Sequence, residues 1–289
     1  MSIARPYETK EITYEDTLSI NFLYKTLPGR ILLSVLIRPI VSKFLGFFMD
    51  SGISRLLIPN FIKNNNICLD EYKDEKYVSF NHFFTREAKE GCRAISANTS
   101  ELFAPGDGKL TAYPITSDSI FKIKNSAYDV SGLLQDKQLA DEFVNGVCLI
   151  LRLMPDDYHR YCYIDDGEII ASKKIDGVLH TVRPIVLQQY NIYTQNAREY
   201  AVLQTKKFGK VIQMEVGALF VGRIVNHTTS GTFKRGEEKG MFEFGGSTVV
   251  MLFQKDVINI DDSIYKNTEE NKETVVKMGD KIGEKTLQE

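Results

Sequence analysis

From about residue 100 onward the chain is written in short runs of β-branched and aliphatic residues, each closed by turn residues. "NGVCLILRL", "EIIASKKI", "EYAVLQT", "KVIQMEVGALFVGRIV" and "STVVMLF" are the clearest. Gly177, Gly209, Gly217, Gly231, Gly236 and Gly240 fall between or within these runs as bends. Runs of this kind predict strands joined by turns. Helical patterns of about 10 to 15 residues do not alternate with them, so a parallel βαβ sheet is not expected. The expectation is an α+β chain with a mostly antiparallel β barrel or sandwich as its core.

Residues 20–63 have a different character. "INFLYKTLPGRILLSVLIRPIVSKFLGFFMDSGISRLLIPNFIK" is strongly apolar, and Arg30, Ser34, Arg38 and Ser42 recur every four residues as a narrow polar stripe. Pro39 is expected to kink or divide this helix. Lys25, Arg30, Arg38, Lys43, Arg55 and Lys63 face only Asp50. A basic, greasy, interrupted helix suits the membrane interface better than the membrane interior. Core helices capping the domain are the plainer alternative. Residues 1–63 therefore read as amphipathic, membrane-facing helices, and residues 64–289 as a β-rich domain. Within it, residues 64–98 read as a polar linker followed by a helix or loop at "FNHFFTREAKEGCRAI". The tail "YKNTEENKETVVKMGDKIGEKTLQE" reads as solvated, with one short strand at "TVVKM".

The 289 residues, 43% of them hydrophobic, suffice for one large domain with a helical appendage. A formal net charge of -2 gives no reason to expect a nucleic-acid partner. Cys68, Cys92, Cys148 and Cys162 form no CxxC pair and read as reduced thiols of a cytosolic compartment. The opening residues lack the apolar core of a signal peptide. No stretch reaches the roughly 18 to 20 uninterrupted apolar residues of a transmembrane helix.

A P-loop, a dinucleotide-binding glycine fingerprint and a G-x-S-x-G elbow are all missing. His82, His159, His180 and His227 lack metal-ligand spacing, so no metal or diffusible cofactor is expected. Polar residues in apolar settings are what is left. "FAPGDGKL" holds Asp107, "LRLMPDDYHRYCYIDDGEI" holds His159, and "DGVLHTVRP" holds His180. "FEFGGSTVV" sets Gly245 and Gly246 before Ser247. Taken singly, Asp107 reads as a turn residue, each histidine as a hydrogen-bonded structural group, and "GGST" as a turn before a strand.

In this order and spacing the set resembles the phosphatidylserine decarboxylase family, from about "FNHFFTREAKEGCRAI" through "VVMLF". The elements that carry the resemblance are "FFTR", the P-x-D-G turn, "DYHR", "VGALFVG" and "GST" before an apolar strand. It implies a chain that makes its own cofactor. The Ser247 hydroxyl would attack the Gly246 carbonyl, turning the peptide bond into an ester. Elimination and hydrolysis would then release ammonia and leave a pyruvoyl group at the new amino end. Residues 1–246 and 247–289 would become separate chains. An acyl shift needs the hydroxyl over the carbonyl, a geometry that β-carbons obstruct and glycines permit. The pyruvoyl group would receive the electrons left by a departing carboxylate, which no ordinary side chain can do.

The resemblance assigns His159 to protonating the resulting carbon, and an unperturbed pKa of about 6.5 suits that task. The implied reaction converts phosphatidylserine to phosphatidylethanolamine and carbon dioxide, in phospholipid biosynthesis. Implied partners are phosphatidylserine and an anionic membrane surface. The implied state is a homodimer of two-chain protomers, peripheral to the cytoplasmic face of the cell membrane.

One departure matters. Many family members read Y-H-R-x-H-x-P, and the second histidine activates the serine. Here "YHRYCYI" puts Cys162 at that position and Ile164 at the proline. Serine needs a base, and the base an orienting carboxylate, for which the family's match is Asp107. Cys162, His159 and His180 are the candidate bases. A thiol with a pKa of about 8.5 is a weak one at neutral pH. The expectation is an Asp107–His180–Ser247 triad, with His159 kept for decarboxylation. In "YTQNAREY", Asn196 and Arg198 match the family's N-E-R while Ala197 does not, and Arg198 is a candidate for a substrate phosphate. Two other readings stay open. One is a pyruvoyl decarboxylase of another amino-acid head group or a free amino acid. The other is an unprocessed, non-enzymatic, lipid-binding membrane-associated protein.

Overall fold

A computed structural model describes residues 8–11, 18–123, 126–183, 186, 191–219, 223–244 and 247–286. The apolar N-terminal region folds into α1 (Leu18–Lys25), α2 (Leu27–Leu36) and α3 (Pro39–Asp50), then a 3-10 turn (Gly52–Leu57) and α4 (Ile58–Asn65). The Thr26 hydroxyl caps α2 by accepting from the Gly29 N–H at 3.1 Å. Pro39 cannot donate to the ladder of a preceding turn, so α2 stops before it and α3 starts on it, with a 69° bend between them. The expected kink is a full break. Among the described residues no single helix is long and apolar enough to cross a membrane, although α2 and α3 would pass that test together.

Among the described residues these helices are partnered on one side only. Tyr24 and Leu33 pack into the core over the sheet, and Met49 and Ile58 pack against α5 (Phe80–Phe84). Leu27, Ile31, Ile40, Phe44 and Phe47 remain exposed.

The strands in chain order are β1 (Glu8–Glu11), β2 (Glu101–Phe103), β3 (Gly108–Pro114), β4 (Ile120–Ile123), β5 (Ser126–Asp129) and β6 (Val147–Leu153). There follow β7 (Arg160–Cys162), β8 (Gly167–Ile175), β9 (Arg198–Thr205), β10 (Lys210–Val216), β11 (Ile224–Asn226) and β12 (Gly231–Phe233). The last are β13 (Glu238–Phe242), β14 (Ser247–Phe253), β15 (Ile258–Ile260), β16 (Lys272–Val276) and β17 (Lys281–Lys285). Nine of them form one sheet in the order β1-β16-β3-β6-β14-β10-β9-β8-β12, and every neighbouring pair in it is antiparallel.

The antiparallel expectation holds. The barrel does not, because β1 and β12 are free edges of that sheet and the described residues close no barrel. Closure is unnecessary because both faces are covered. Val250 and Leu252 of β14 face the core that Tyr24 and Leu33 join. Val249, Met251 and Phe253 face the other way, toward Tyr161 and Phe242 of a small β11-β13-β7 sheet. Burial on both faces is why β14 reads as a continuous apolar run rather than an alternating one.

The tail also departs from expectation. "TVVKM" does open within a strand, but that strand, β16, lies between β1 and β3 inside the large sheet. A helix (Asp262–Glu269) precedes it and β17 follows it, burying Ile264, Val276 and Ile282. Charged neighbours masked these few inward residues in the sequence.

Candidate active site

Ser247 opens the strand at the centre of the sheet, opposite Leu153 of β6. It is fully buried, and its Oγ meets no hydrogen-bond partner. Burying a hydroxyl without a partner costs about 1–3 kcal/mol, so this group is held for something other than stability. Gly245 and Gly246, the expected junction, lie outside the described residues. The chain leading to them is firmly anchored. The Phe244 N–H donates to Asn81 Oδ1 at 3.1 Å, and the Phe242 N–H donates to the His159 carbonyl at 2.9 Å.

That second bond sets His159 beside the segment entering Ser247. The imidazole is fully buried, with its ring centroid 3.9 Å from that of Phe84, which also packs on Phe244. Neither ring nitrogen makes a well-formed hydrogen bond. Burial, and then the nearby Arg86 guanidinium, push its pKa down to about 3, against a weak opposing backbone interaction at Asp157. The ring is therefore neutral at physiological pH.

Asp107 and His180 are engaged elsewhere. Arg93 grips the Asp107 carboxylate with two bonds, Nε to Oδ1 at 2.8 Å and Nη2 to Oδ2 at 2.6 Å. The Met278 N–H donates to the same carboxylate at 2.9 Å. His180 Nδ1 lies 3.2 Å from the Tyr24 hydroxyl, and Asn196 clasps the His180 backbone through both its N–H and its carbonyl. Asp107 precedes β3 and Asn196 precedes β9, with β6, β14 and β10 between those strands. At about 4.8 Å per strand that is roughly 19 Å. The expected Asp107–His180–Ser247 relay is therefore not assembled, and no hydrogen bond joins any two of the three. Arg93, in "GCRAI", is the residue that reading the sequence missed here.

Cys162 is buried, with Sγ 3.5 Å from the Pro105 carbonyl, and burial pushes its thiol up to about 12. It is a poorer source of thiolate than the sequence alone implied. Arg198 donates to the carbonyls of Gly132, Leu133, Thr194 and Asn196, and burial pulls its pKa down to about 10. Four of its five N–H bonds thus hold main chain, leaving little for a phosphate. His82 and His227 sit nearer the surface beside Glu75 and Glu238.

Two buried cationic side chains that the sequence did not single out flank this region. Arg86 of "FFTR" stacks on the Tyr72 ring at 4.2 Å, and its Nη2 donates to the Asp156 carbonyl at 3.0 Å, bracing the loop into His159. Lys239 pairs with Glu215 at 2.6 Å in full burial. A charge inside the apolar run "VIQMEV" was the available signal for Glu215.

A family model described as phosphatidylserine decarboxylase matches residues 80–284. Phosphatidylserine decarboxylase proenzyme 2 of Clostridium acetobutylicum is 48% identical over 281 residues, which is 96% of each chain. The phosphatidylserine decarboxylase proenzyme of Ruminiclostridium cellulolyticum is 41% identical, covering 91% of this chain and 90% of its own. That of Clostridium tetani is 38% identical, covering 97% and 96%. With a buried, unpartnered serine at the head of its central strand, the chain belongs to the phosphatidylserine decarboxylase family.

Proposed function

We infer that this chain is a proenzyme that cuts itself between Gly246 and Ser247 and then converts phosphatidylserine to phosphatidylethanolamine and carbon dioxide. The observation that carries the reading is the Ser247 hydroxyl, buried and unpartnered at the mouth of the central strand. Ser247 would become the pyruvoyl group, and β6 and β10, on either side of β14, would fix its position. When present, that group supplies an electrophilic carbonyl able to hold the electron pair released as carbon dioxide leaves.

The protein's own part is to dry the site and move protons. His159 is neutral and carries one N–H and one lone pair, so it can relay a proton to the carbon rather than store one. Phe84 packs on the ring, Phe244 packs on Phe84, and the imidazole is fully buried from water.

The lipid reaches the site from a membrane that the N-terminal helices dock on. Exposed Ile31, Phe44 and Phe47 supply apolar surface, and Arg30, Arg38 and Lys43 supply charge for an anionic leaflet. Attachment is peripheral, on the cytoplasmic face.

Intact-mass spectrometry of the purified protein tests the reading. Two chains are expected, residues 1–246 and residues 247–289, the second carrying a reactive carbonyl at its amino end. Phosphatidylserine vesicles incubated with it should yield phosphatidylethanolamine. A single 289-residue chain that leaves the lipid unchanged would overturn the proposal.

A further inference from the structure

A serine hydroxyl is a poor nucleophile unless a neighbouring group takes its proton. Asp107 is locked by Arg93, the Cys162 thiol is pushed up, and His159 holds protons weakly. A different group lies across the strand from Ser247.

Ser247 and Val249 share one face of β14, since alternate residues of a strand point the same way. Glu215 of β10 stands directly opposite Val249, so it lies on that face too. Continuing the register by one residue sets Gly217 opposite Ser247, and Gly217 has no side chain to intervene. Diagonal neighbours across an antiparallel pair have β-carbons about 7–8 Å apart, a gap that a glutamate side chain can bridge.

Glu215 is fully buried. Its Oε2 accepts from Lys239 Nζ at 2.6 Å and from Asn226 Nδ2 at 3.2 Å, while its Oε1 has no partner. Lys239 falls at a register shift in β13, a bulge that turns its side chain inward. Asn226 Oδ1 in turn accepts from Lys239 and from the Tyr161 hydroxyl, so the cluster is braced on three sides. Glu199 of β9 stands directly opposite Glu215. Burial first, and the Glu199 charge in addition, raise the proton affinity of Glu215, against Lys239 and Asn226. A lone-pair acceptor and a hydroxyl donor, both buried and both unpartnered, thus sit on the same face of adjacent strands.

We propose that Glu215 is the general base of self-cleavage, its Oε1 taking the proton from Ser247 Oγ. As Oγ adds to the Gly246 carbonyl carbon, the proton passes to Glu215. The carbon–nitrogen bond to Ser247 then breaks, and the same proton goes to the departing nitrogen. An ester and a free amine result, with no oxidant or co-reactant consumed. Lys239 holds the second oxygen, leaving Oε1 free to turn toward the serine.

This inference rests on the self-processing reading, and one experiment separates the two failures. The unaltered chain, Glu215→Gln and Ser247→Ala are made by cell-free translation, and splitting is followed by gel and intact mass. The unaltered chain should split, and Glu215→Gln should split at least about a hundredfold more slowly. Glu215→Gln should also melt like the uncut Ser247→Ala reference. An unaltered chain that stays whole defeats the self-processing reading. Glu215→Gln splitting at the unaltered rate defeats the role of Glu215 alone.

Should Glu215→Gln fail to fold, Glu215→Leu with Lys239→Met removes the pair together, a replacement that buried ion pairs often tolerate. It too should split at least about a hundredfold more slowly. Splitting at the unaltered rate would overturn the proposal. The unaltered chain offers a check without substitution. Its splitting should slow in acid through one carboxylate ionisation, set among Lys239, Glu199 and Tyr161. A rate flat down to about pH 4, or one still climbing toward pH 12, would assign the proton to His159 or Cys162 instead.

Discussion

The N-terminal helices leave Phe44 and Phe47 73% and 81% exposed, whereas the large sheet and the strands packed on it hide Glu215 and Lys239 at 0% and 1%. Each region holds what the other would ordinarily be expected to hold. An apolar face in water is stable only at a cost, and it marks a surface that another apolar phase completes. A buried charge is tolerated only when paired, and Glu215 and Lys239 satisfy each other. The helices therefore leave apolar surface facing outward. The sheet is incomplete inward, at buried polar atoms without a well-formed hydrogen bond, among them Ser247 Oγ, Glu215 Oε1, both His159 nitrogens, Thr248 Oγ1, Gln213 Oε1 and two Arg86 nitrogens. On the proposed reading, docking belongs to the first region and chemistry to the second.

The sharpest way to break this contrast is Ser247→Ala. Splitting and decarboxylation should both vanish while vesicle binding persists, as intact mass, lipid analysis and flotation would show. Loss of vesicle binding as well would mean that the two regions do not divide the work.

Next in size is Lys239→Met, which strands the Glu215 charge in the core. A loss of about 3–5 kcal/mol is expected by urea denaturation, and adding Glu215→Leu should recover most of it. A double variant as unstable as the single one would show that the pair is not what holds this part of the core together.

Acid comes third. His159 has a folded pKa of about 3 against about 6.5 when unfolded, so between those values the unfolded chain binds the extra proton. Stability should therefore fall as pH drops from about 6.5 toward 3, by up to about 1.4 kcal/mol per pH unit from this group. His159→Phe should flatten that slope, and an unchanged slope would place the titration elsewhere.

Two smaller effects concern the helices. Phe47→Glu should weaken binding to vesicles by roughly tenfold or more, following the about 1.5–3 kcal/mol that burying such a side chain contributes. Its melting temperature should not change. Arg38→Gln should cost about 1 kcal/mol on anionic vesicles and nothing on neutral ones. Equal losses on both would remove the electrostatic part of the docking model.

Much of the architecture was legible because it depends on local pattern. The apolar stretch 20–63 announced helices, Pro39 announced its own break, and the runs from residue 100 announced antiparallel strands. The barrel was not legible as an open sheet, because a continuous apolar strand such as β14 fits a closed barrel and a doubly covered sheet equally well. The buried tail was hidden by its charged neighbours. Among the site residues, Ser247 and His159 stood out through their motifs. Arg93, which occupies Asp107, and Glu215 did not, because each acts on a residue far from it in sequence or across a strand.

By itself the sequence determined the local conformations, the helix break and the serine poised before a buried strand, since these follow from side-chain pattern and backbone freedom over a few residues. Tertiary structure alone decided which ionisable group faces that serine. Strand order and register bring Glu215 to its side and hold Asp107 and His180 apart, and such pairings depend on contacts between segments dozens of residues apart that no local pattern encodes.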